Sequence, residues 1–72
     1  MATSYEVQGR RTERAPEGKS HDVVRLDTAD DEAVAFAIAA TMAADNLTVW
    51  VFETTRNQAG TRAYRLLKVV SA

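Results

Sequence analysis

The chain has 72 residues, which is room for one domain with a thin hydrophobic core. It contains no cysteine and one histidine, so disulfides are excluded and a structural zinc site has almost no ligands to draw on. Nine basic and ten acidic side chains give a net charge of −1, which argues against the strong positive field expected of a protein held by nucleic-acid phosphates.

No apolar stretch reaches the roughly 18 residues of a membrane span, and residues 1–11 lack the hydrophobic core of a signal peptide. A chain without cysteine also suits a reducing compartment. We therefore expect a cytoplasmic protein with no membrane contact, whose small core gains stability from tight packing or from oligomerisation.

The first predicted element is a strand over residues 4–10, where Tyr5 and Val7 alternate with polar side chains in the period of two typical of a strand. Gly9 is a candidate for a β-bulge. Residues 11–20 are polar and charged and include the only proline, so they are predicted to form a flexible hairpin loop.

A second strand is predicted over residues 21–27 and pairs with the first as a hairpin. Val24 and Leu26 are predicted to face the core, because they alternate with a more polar set. That second set consists of His21, Val23 and Arg25.

A helix is predicted over residues 29–45. Thr28, followed three residues later by Asp31, approximates a capping box, and acidic residues in the first turn suit the helix dipole. Two stripes can be distinguished on it. The stripe predicted to cover the sheet is Val34, Ile38, Thr41 and Met42. The other, whose alanines tolerate water or admit a second helix, is Phe36, Ala40 and Ala43.

Asp45 and Asn46 are predicted to end the helix, with Asn46 as a left-handed cap. The clearest strand follows over residues 47–54. One of its faces carries Leu47, Val49 and Val51, and the other carries Thr48, Trp50, Phe52 and Thr54.

A turn over residues 57–60 leads to a last strand over residues 62–70. Two registers of this strand stay open, because both of its faces carry apolar residues. The competing inward sets are Tyr64, Leu66 and Val70 against Ala63, Leu67 and Val69.

The order β-β-α-β-β predicts an α+β fold for residues 1–72 as one domain, with a four-stranded, mainly antiparallel sheet and one helix packed on one face. The strand order stays open. A β-grasp arrangement, with the first and last strands adjacent and parallel, is one possibility. A helix that connects neighbouring strands is another.

No catalytic, cofactor-binding or metal-binding residue is predicted. Acidic side chains at the helix start are what capping alone requires, and they lack the spacing of a calcium loop. His21 has no nucleophile partner nearby in the sequence, so we expect it to be exposed at a strand end. Phosphate-binding, dinucleotide-binding and nucleophile-elbow motifs are missing from the sequence. We therefore expect a protein that is not an enzyme and needs no cofactor.

Aromatic side chains supply the main functional hypothesis. If the Leu47 face of its strand packs under the helix, Trp50 and Phe52 lie on the sheet face that the helix leaves bare. Two alternatives would cover them, namely the reverse register or a hairpin loop that folds back over the sheet. Large exposed aromatics on a small domain are typical of an interface. We expect a protein partner, either a second copy or a host protein, bound through this face or the alanine-rich helix. The predicted partner-binding residues are Trp50, Phe52, Phe36 and Tyr64.

A nucleic-acid-binding module is the alternative hypothesis, because aromatics flanked by basic residues can stack bases and bind phosphates. Acidic residues interleaved with the basic ones, and hairpin loops expected at opposite ends of the sheet, weaken it. The candidate contacts are Arg10, Arg11, Arg56, Arg62, Arg65 and Lys68.

The order of elements also resembles the short β-β-α-β-β proteins of actinobacteria and their phages. The matching features are Asp27-Thr28 before the helix, the alanine-rich residues 33–44, Val49-Trp50-Val51, and the basic hairpin residues 62–68. Proteins of this kind are accessory or host-interaction proteins. The resemblance therefore implies a phage accessory protein that acts on a host component.

Overall fold

In a computed structural model, which describes residues 2–71, four strands form one antiparallel sheet and a single helix covers one face of it. This confirms the predicted α+β class. The elements are β1 (Ala2–Arg14), β2 (Ser20–Ala29), α1 (Glu32–Ala44), β3 (Thr48–Arg56) and β4 (Arg62–Val70).

The strand order is β2-β1-β3-β4, so the longest strand, β1, lies inside the sheet. Because β1 is antiparallel to both of its neighbours, β2 and β3 are parallel to each other, and α1 carries the chain over β1 between them. The sequence left the strand order open, and the observed order matches neither of the two topologies named for it. A β-grasp requires β1 beside β4, and the other order requires the helix to connect adjacent strands.

The β1–β2 hairpin is longer than predicted. Strand β1 continues to Arg14, which pairs with Ser20, whereas its pairing with β3 ends at Arg10. The last four residue pairs of the hairpin therefore form a two-stranded arm beyond the main sheet, and the molecule is 50 Å long. Half of the predicted flexible loop 11–20 is thus strand, and the turn itself is confined to residues 15–19. The arm extends the sheet and does not fold back over it.

The helix begins at a different cap from the predicted one. Asp31 is the N-cap, and its carboxylate accepts hydrogen bonds from the backbone nitrogens of Ala33 at 2.7 Å and Val34 at 3.4 Å. Thr28 lies in β2 and pairs with Glu6. A carboxylate in the Asp31 position satisfies free N–H groups of the first turn and faces the positive end of the helix dipole.

The helix ends as predicted, at Asn46 in the left-handed region with φ 65°. The backbone nitrogen of Leu47 donates to the carbonyl of Met42 at 3.2 Å, and that of Asn46 donates to the carbonyl of Ala43 at 3.0 Å. This is the paired hydrogen bonding of a Schellman motif. This motif places Leu47, which is fully buried, in the core.

Alanines form much of the contact between α1 and the sheet. Ala35 and Ala39 are fully buried, whereas Val34, predicted to face the sheet, is 50% exposed. Of the remaining residues in the predicted stripe, Met42 is buried, Ile38 packs against the core and Thr41 is exposed. The core cluster consists of Val7, Ala29, Ala35, Ala39, Met42, Leu47, Val49 and Val51.

The helix lies close to the sheet at Gly9, so only small side chains fit between the two. A Cβ atom at this glycine would lie 2.9 Å from Sδ of Met42 and 3.1 Å from Cδ1 of Leu47. Gly9 pairs regularly with Arg25 and with Val49, so it marks a close approach of the helix and not the predicted bulge.

Strand β2 faces the opposite way from the prediction. Val24 and Leu26 are 65% and 62% exposed, and Val23 is the residue that packs against the core. The reason is the register, since Val23 pairs with Arg11, which shares the helix side of β1 with Val7 and Gly9. A strand with two adjacent valines can place apolar residues on either face.

Strand β4 contains an irregularity, and neither of the two inward sets left open by the sequence is the observed one. Lys68 pairs with Val51 and Leu66 pairs with Phe52, so Leu67 is an extra residue in a β-bulge. The bulge changes the alternation along the strand. As a result Leu66 and Val69, three residues apart, lie on the same face of the sheet.

Candidate protein interface on the open sheet face

The sheet face opposite α1, which we call the open face, carries apolar side chains from three strands. Strand β3 turns Val49 and Val51 toward the helix, where both are fully buried, and so points Trp50 and Phe52 to the other side as predicted. Cross-strand pairing adds neighbours to these aromatics. The apolar residues of the open face are Val24, Leu26, Trp50, Phe52, Tyr64, Leu66 and Val69.

Most of these side chains are exposed to solvent. Val24, Leu26, Tyr64, Leu66 and Val69 are each between 47% and 65% exposed. Trp50 and Phe52, which lie on an inner strand, are half-buried by their neighbours. Within residues 2–71 no element packs over this face, so its side chains from β2 and β4 remain in contact with water.

The aromatic part of the open face is ordered by direct ring contact. The rings of Phe52 and Tyr64 meet edge to face, with centroids 6.4 Å apart and an interplanar angle of 89°. Beside Trp50 the surface forms a shallow concavity of about 380 Å³, which is also lined by Gln8, Arg10 and Val24. The geometry suits a protruding apolar side chain of a partner.

Strand β1 divides the open face with a polar stripe formed by Glu6, Gln8 and Arg10. Their pairing partners on β3 are Phe52, Trp50 and Thr48 respectively. Because alternate residues of a strand share a face, the three side chains are spaced at about 7 Å, with the negative and positive charges on either side of the amide.

The charged ends of the stripe differ in their surroundings. Arg10 pairs with the carboxylate of Asp22, and Thr12 donates a hydrogen bond of 3.0 Å to the same carboxylate. The hydrogen bond from Arg10, followed by that from Thr12, lowers the pKa of Asp22. Glu6 is half-buried beside Phe52, and no basic residue between positions 2 and 71 forms an ion pair with it.

One predicted partner-binding residue lies elsewhere. Phe36 is on α1, on the other side of the sheet, where Nζ of Lys68 lies 5.7 Å from the centroid of its ring. The structure therefore brings together Trp50, Phe52 and Tyr64 but separates Phe36 from them. Val24, Leu26, Leu66 and Val69 join the site without having been predicted.

Basic residues do not form one continuous patch. Arg11 is on the helix side and binds Glu13 at 2.6 Å and the backbone carbonyl of Asp45, and its hydrogen bond lowers the pKa of Glu13. Arg65, also on the helix side, lies 3.3 Å from Glu53.

The remaining candidate nucleic-acid contacts, Arg10, Arg56 and Arg62, lie on the open face. Arg56 and Arg62 pair directly at one end of it, whereas Arg10 pairs with Thr48 at the other end. Eight residues of β3 separate these two positions, or about 27 Å at about 3.4 Å per residue. This agrees with the expectation that the two hairpin loops lie at opposite ends.

The carboxylate at the helix start and the single histidine both have structural contacts. Asp31 caps the helix, and His21 lies on the exposed arm with Nε2 3.4 Å from Oε2 of Glu13. In the part of the chain that the structure describes, no three His, Cys, Asp or Glu residues are grouped in a way that could hold a metal ion. None of the helices among residues 2–71 is long and apolar enough to cross a membrane.

Comparisons of the chain with protein-family models, with curated proteins and with solved structures found no match.

Proposed function

We propose that this chain is a small, non-enzymatic protein-interaction module that acts in the cytoplasm and binds another protein chain through its open face. One observation supports this most strongly. Seven apolar side chains, three of them aromatic, share a sheet face that no other described element covers. Monomeric proteins rarely leave apolar patches of more than a few hundred Å² in water unless the patch binds something.

The total surface area supports the same proposal. The accessible surface is 5039 Å², whereas a compact monomer of 7.9 kDa exposes about 4,400 Å². The excess comes from the projecting arm and from the single-sided sheet. A molecule that covers only one face of its sheet has in effect half of a sandwich, and a partner surface supplies the other half.

The resemblance to short proteins of actinobacteria and their phages suggests a biological setting for this module. In that setting the chain is an accessory protein, and its partner is a second copy or a component of the host. The open face suits such a role because its contacts are apolar and polar side chains at fixed positions, with no requirement for a bound cofactor.

The proposal is tested by photo-crosslinking in the cell that makes the protein. A photoreactive side chain replaces Val69 on the open face, and a matched variant carries it at Ala37, which is exposed on the helix. We expect a dominant protein adduct from position 69, none from position 37, and loss of the adduct when Leu66→Glu is added. Equal labelling from both positions, or no adduct from position 69, would refute the proposal.

A nucleic-acid-binding module is a second candidate, favoured by the presence of Trp50, Phe52 and Tyr64 on the same face as Arg56 and Arg62. Three aromatics on a four-stranded sheet can stack bases, and arginines at its end can bind the phosphates that follow. The aliphatic residues of the open face and the central carboxylate of Glu6 favour a protein partner instead.

The two candidates differ in their dependence on salt. Nucleic-acid binding predicts affinity for single-stranded oligonucleotides that falls steeply between low and moderate salt, with a smaller slope after Arg56→Gln and Arg62→Gln. Lys19→Gln, in the hairpin turn, is a matched control. Absence of binding at low salt removes this candidate and leaves the protein interface.

A further inference from the structure

We infer that the partner of the open face is a second copy of this chain, docked face to face about a two-fold axis that passes at Gln8 and crosses the strands. This inference rests on the proposed function, because it names the occupant of the same surface. It adds an orientation, a register and a specific set of contacts, each of which follows from the polar stripe on β1.

The polar stripe is complementary to its own reverse. Glu6 and Arg10 lie on the same face, two residues before and two residues after Gln8. A two-fold axis through Gln8, perpendicular to β1, brings Glu6 of each copy opposite Arg10 of the other. The pairing occurs twice, as an isologous interface requires.

The residue on the axis is also suited to its position. At a two-fold axis each side chain meets its own copy, so two carboxylates or two guanidinium groups would repel there. A glutamine amide has both a donor and an acceptor and can form hydrogen bonds with a second amide. Gln8 is the polar residue of the stripe that pairs with Trp50 at the centre of the sheet.

The charges also select between the possible axes. An axis that ran along β1 would stack the carboxylate of Glu6 on its own copy among apolar side chains, and would stack Arg10, which is bound to Asp22, on its own copy. Stacked like charges are strongly unfavourable at an interface. The axis across the strands replaces them with two ion pairs. It also gives the half-buried carboxylate of Glu6 the partner that it lacks among residues 2–71.

The apolar side chains of the open face are also arranged to suit this axis. In the row of the sheet that contains Gln8, the neighbours across the strands are Leu26, Trp50 and Val69. Each of them meets its own copy in the inferred dimer. Two aligned sheets cross at about 30°. A residue about 7 Å from the axis is therefore displaced sideways from its counterpart in the other copy by only about 4 Å, a gap that an arginine side chain can span.

The area is sufficient for a specific dimer. The apolar and polar residues of the open face cover about 20 Å across the four strands and about 25 Å along them, or roughly 500 Å² per copy. Two copies therefore bury about 1,000 Å², which is near the lower limit for a specific interface and predicts a dissociation constant in the micromolar range. The helices lie on the outside and the cores are not disturbed.

Charge reversal followed by mixing tests the register. Glu6→Arg alone and Arg10→Glu alone each place like charges against each other in both pairs, and we expect the dissociation constant to rise by about 100-fold or more. An equimolar mixture of these two variants restores both opposite-charge pairs, so it forms a heterodimer. Sedimentation equilibrium from about 1 to about 200 µM measures each state, and native mass spectrometry identifies the heterodimer.

Matched controls carry the same charge changes outside the interface. Glu17→Arg and Lys19→Glu lie in the exposed turn of the arm and should leave the dimer intact. Glu6→Gln covers the case in which a reversed charge prevents folding. It weakens the dimer if the axis crosses the strands and strengthens it if the axis runs along β1. Circular dichroism checks that every variant is folded.

Each outcome decides something. Dimeric wild type, monomeric single variants and a heterodimer on mixing support the inference. A dimer that tolerates both charge reversals, or that Glu6→Gln strengthens, overturns the register and therefore the inference. A wild type that is monomeric throughout the concentration range also overturns it, but an adduct from position 69 to another protein would then still support the proposed function. Absence of any adduct from position 69 in the otherwise unchanged chain is the separate outcome that refutes the function.

Discussion

The close approach of the helix at Gly9 predicts a measurable penalty for Gly9→Ala. The added Cβ would lie 2.9 Å from Sδ of Met42 and 3.1 Å from Cδ1 of Leu47. Met42 is 5% exposed and Leu47 is fully buried, so neither side chain can move into water without losing its own packing. Either α1 shifts away from the sheet or both side chains leave their rotamers.

The size of the effect follows from two opposing terms. Overpacking a core by one methyl group costs about 1 to 3 kcal/mol. Replacing glycine by alanine in a strand recovers about 0.5 to 1 kcal/mol, because alanine loses less backbone entropy on folding. We expect a net destabilisation of about 1 kcal/mol. At 72 residues this is a large fraction of a small stability.

Urea unfolding, followed by the fluorescence of the single tryptophan at fixed protein concentration, measures the change. A double-mutant cycle with Met42→Ala isolates the Met42 contact, since shortening Met42 removes the closest clash and should reduce the penalty at Gly9, leaving the part that is due to Leu47. An increase in stability for Gly9→Ala, or an equal penalty in the Met42→Ala background, would show that the helix is not held against β1 at this point.

Three further predictions concern local contacts. Asp31→Ala should lower the free energy of unfolding by about 1 kcal/mol by removing the N-cap, whereas Thr28→Ala should change it by less; thermal unfolding compares the two. Asn46→Ala should destabilise by about 1 kcal/mol because alanine is strained at positive φ, and Asn46→Gly should not. The Arg10 contact lowers the pKa of Asp22, so its contribution to stability is present above the unfolded pKa and is lost as the pH falls through the folded value. An NMR titration should show the Asp22 midpoint moving up toward the ordinary value in Arg10→Gln.

The predictable part of the fold was local. Alternation along β3 correctly separated Val49 and Val51 from Trp50 and Phe52, and Asn46 was correctly placed as the helix cap. Both inferences depend on the intrinsic geometry of a strand or a helix end, which residues close in sequence determine. The turn at residues 57–60 was also predicted from local sequence, and Gly60 in this turn adopts φ 81°.

The candidate site was only partly predictable. Trp50, Phe52 and Tyr64 were identified because large aromatics stand out in any pattern, and Phe36 was included on the same ground although it lies on the other face. Leu66 and Val69 share the open face only because Leu67 is an extra residue in the ladder. A bulge depends on how two strands fit each other, so the alternation within β4 does not reveal it.

The sequence by itself determined the α+β class, the order of the elements and the face that β3 presents to the helix, because each follows from local periodicity and turn chemistry. Only the tertiary structure decided the strand order, the outward orientation of Val24 and Leu26, and the position of the N-cap at Asp31. These depend on pairing between residues far apart in the chain and on how closely an alanine-rich helix can approach Gly9. The same long-range pairing places Glu6, Gln8 and Arg10 at the centre of the open face. Their order along β1 is the basis of the inferred two-fold dimer.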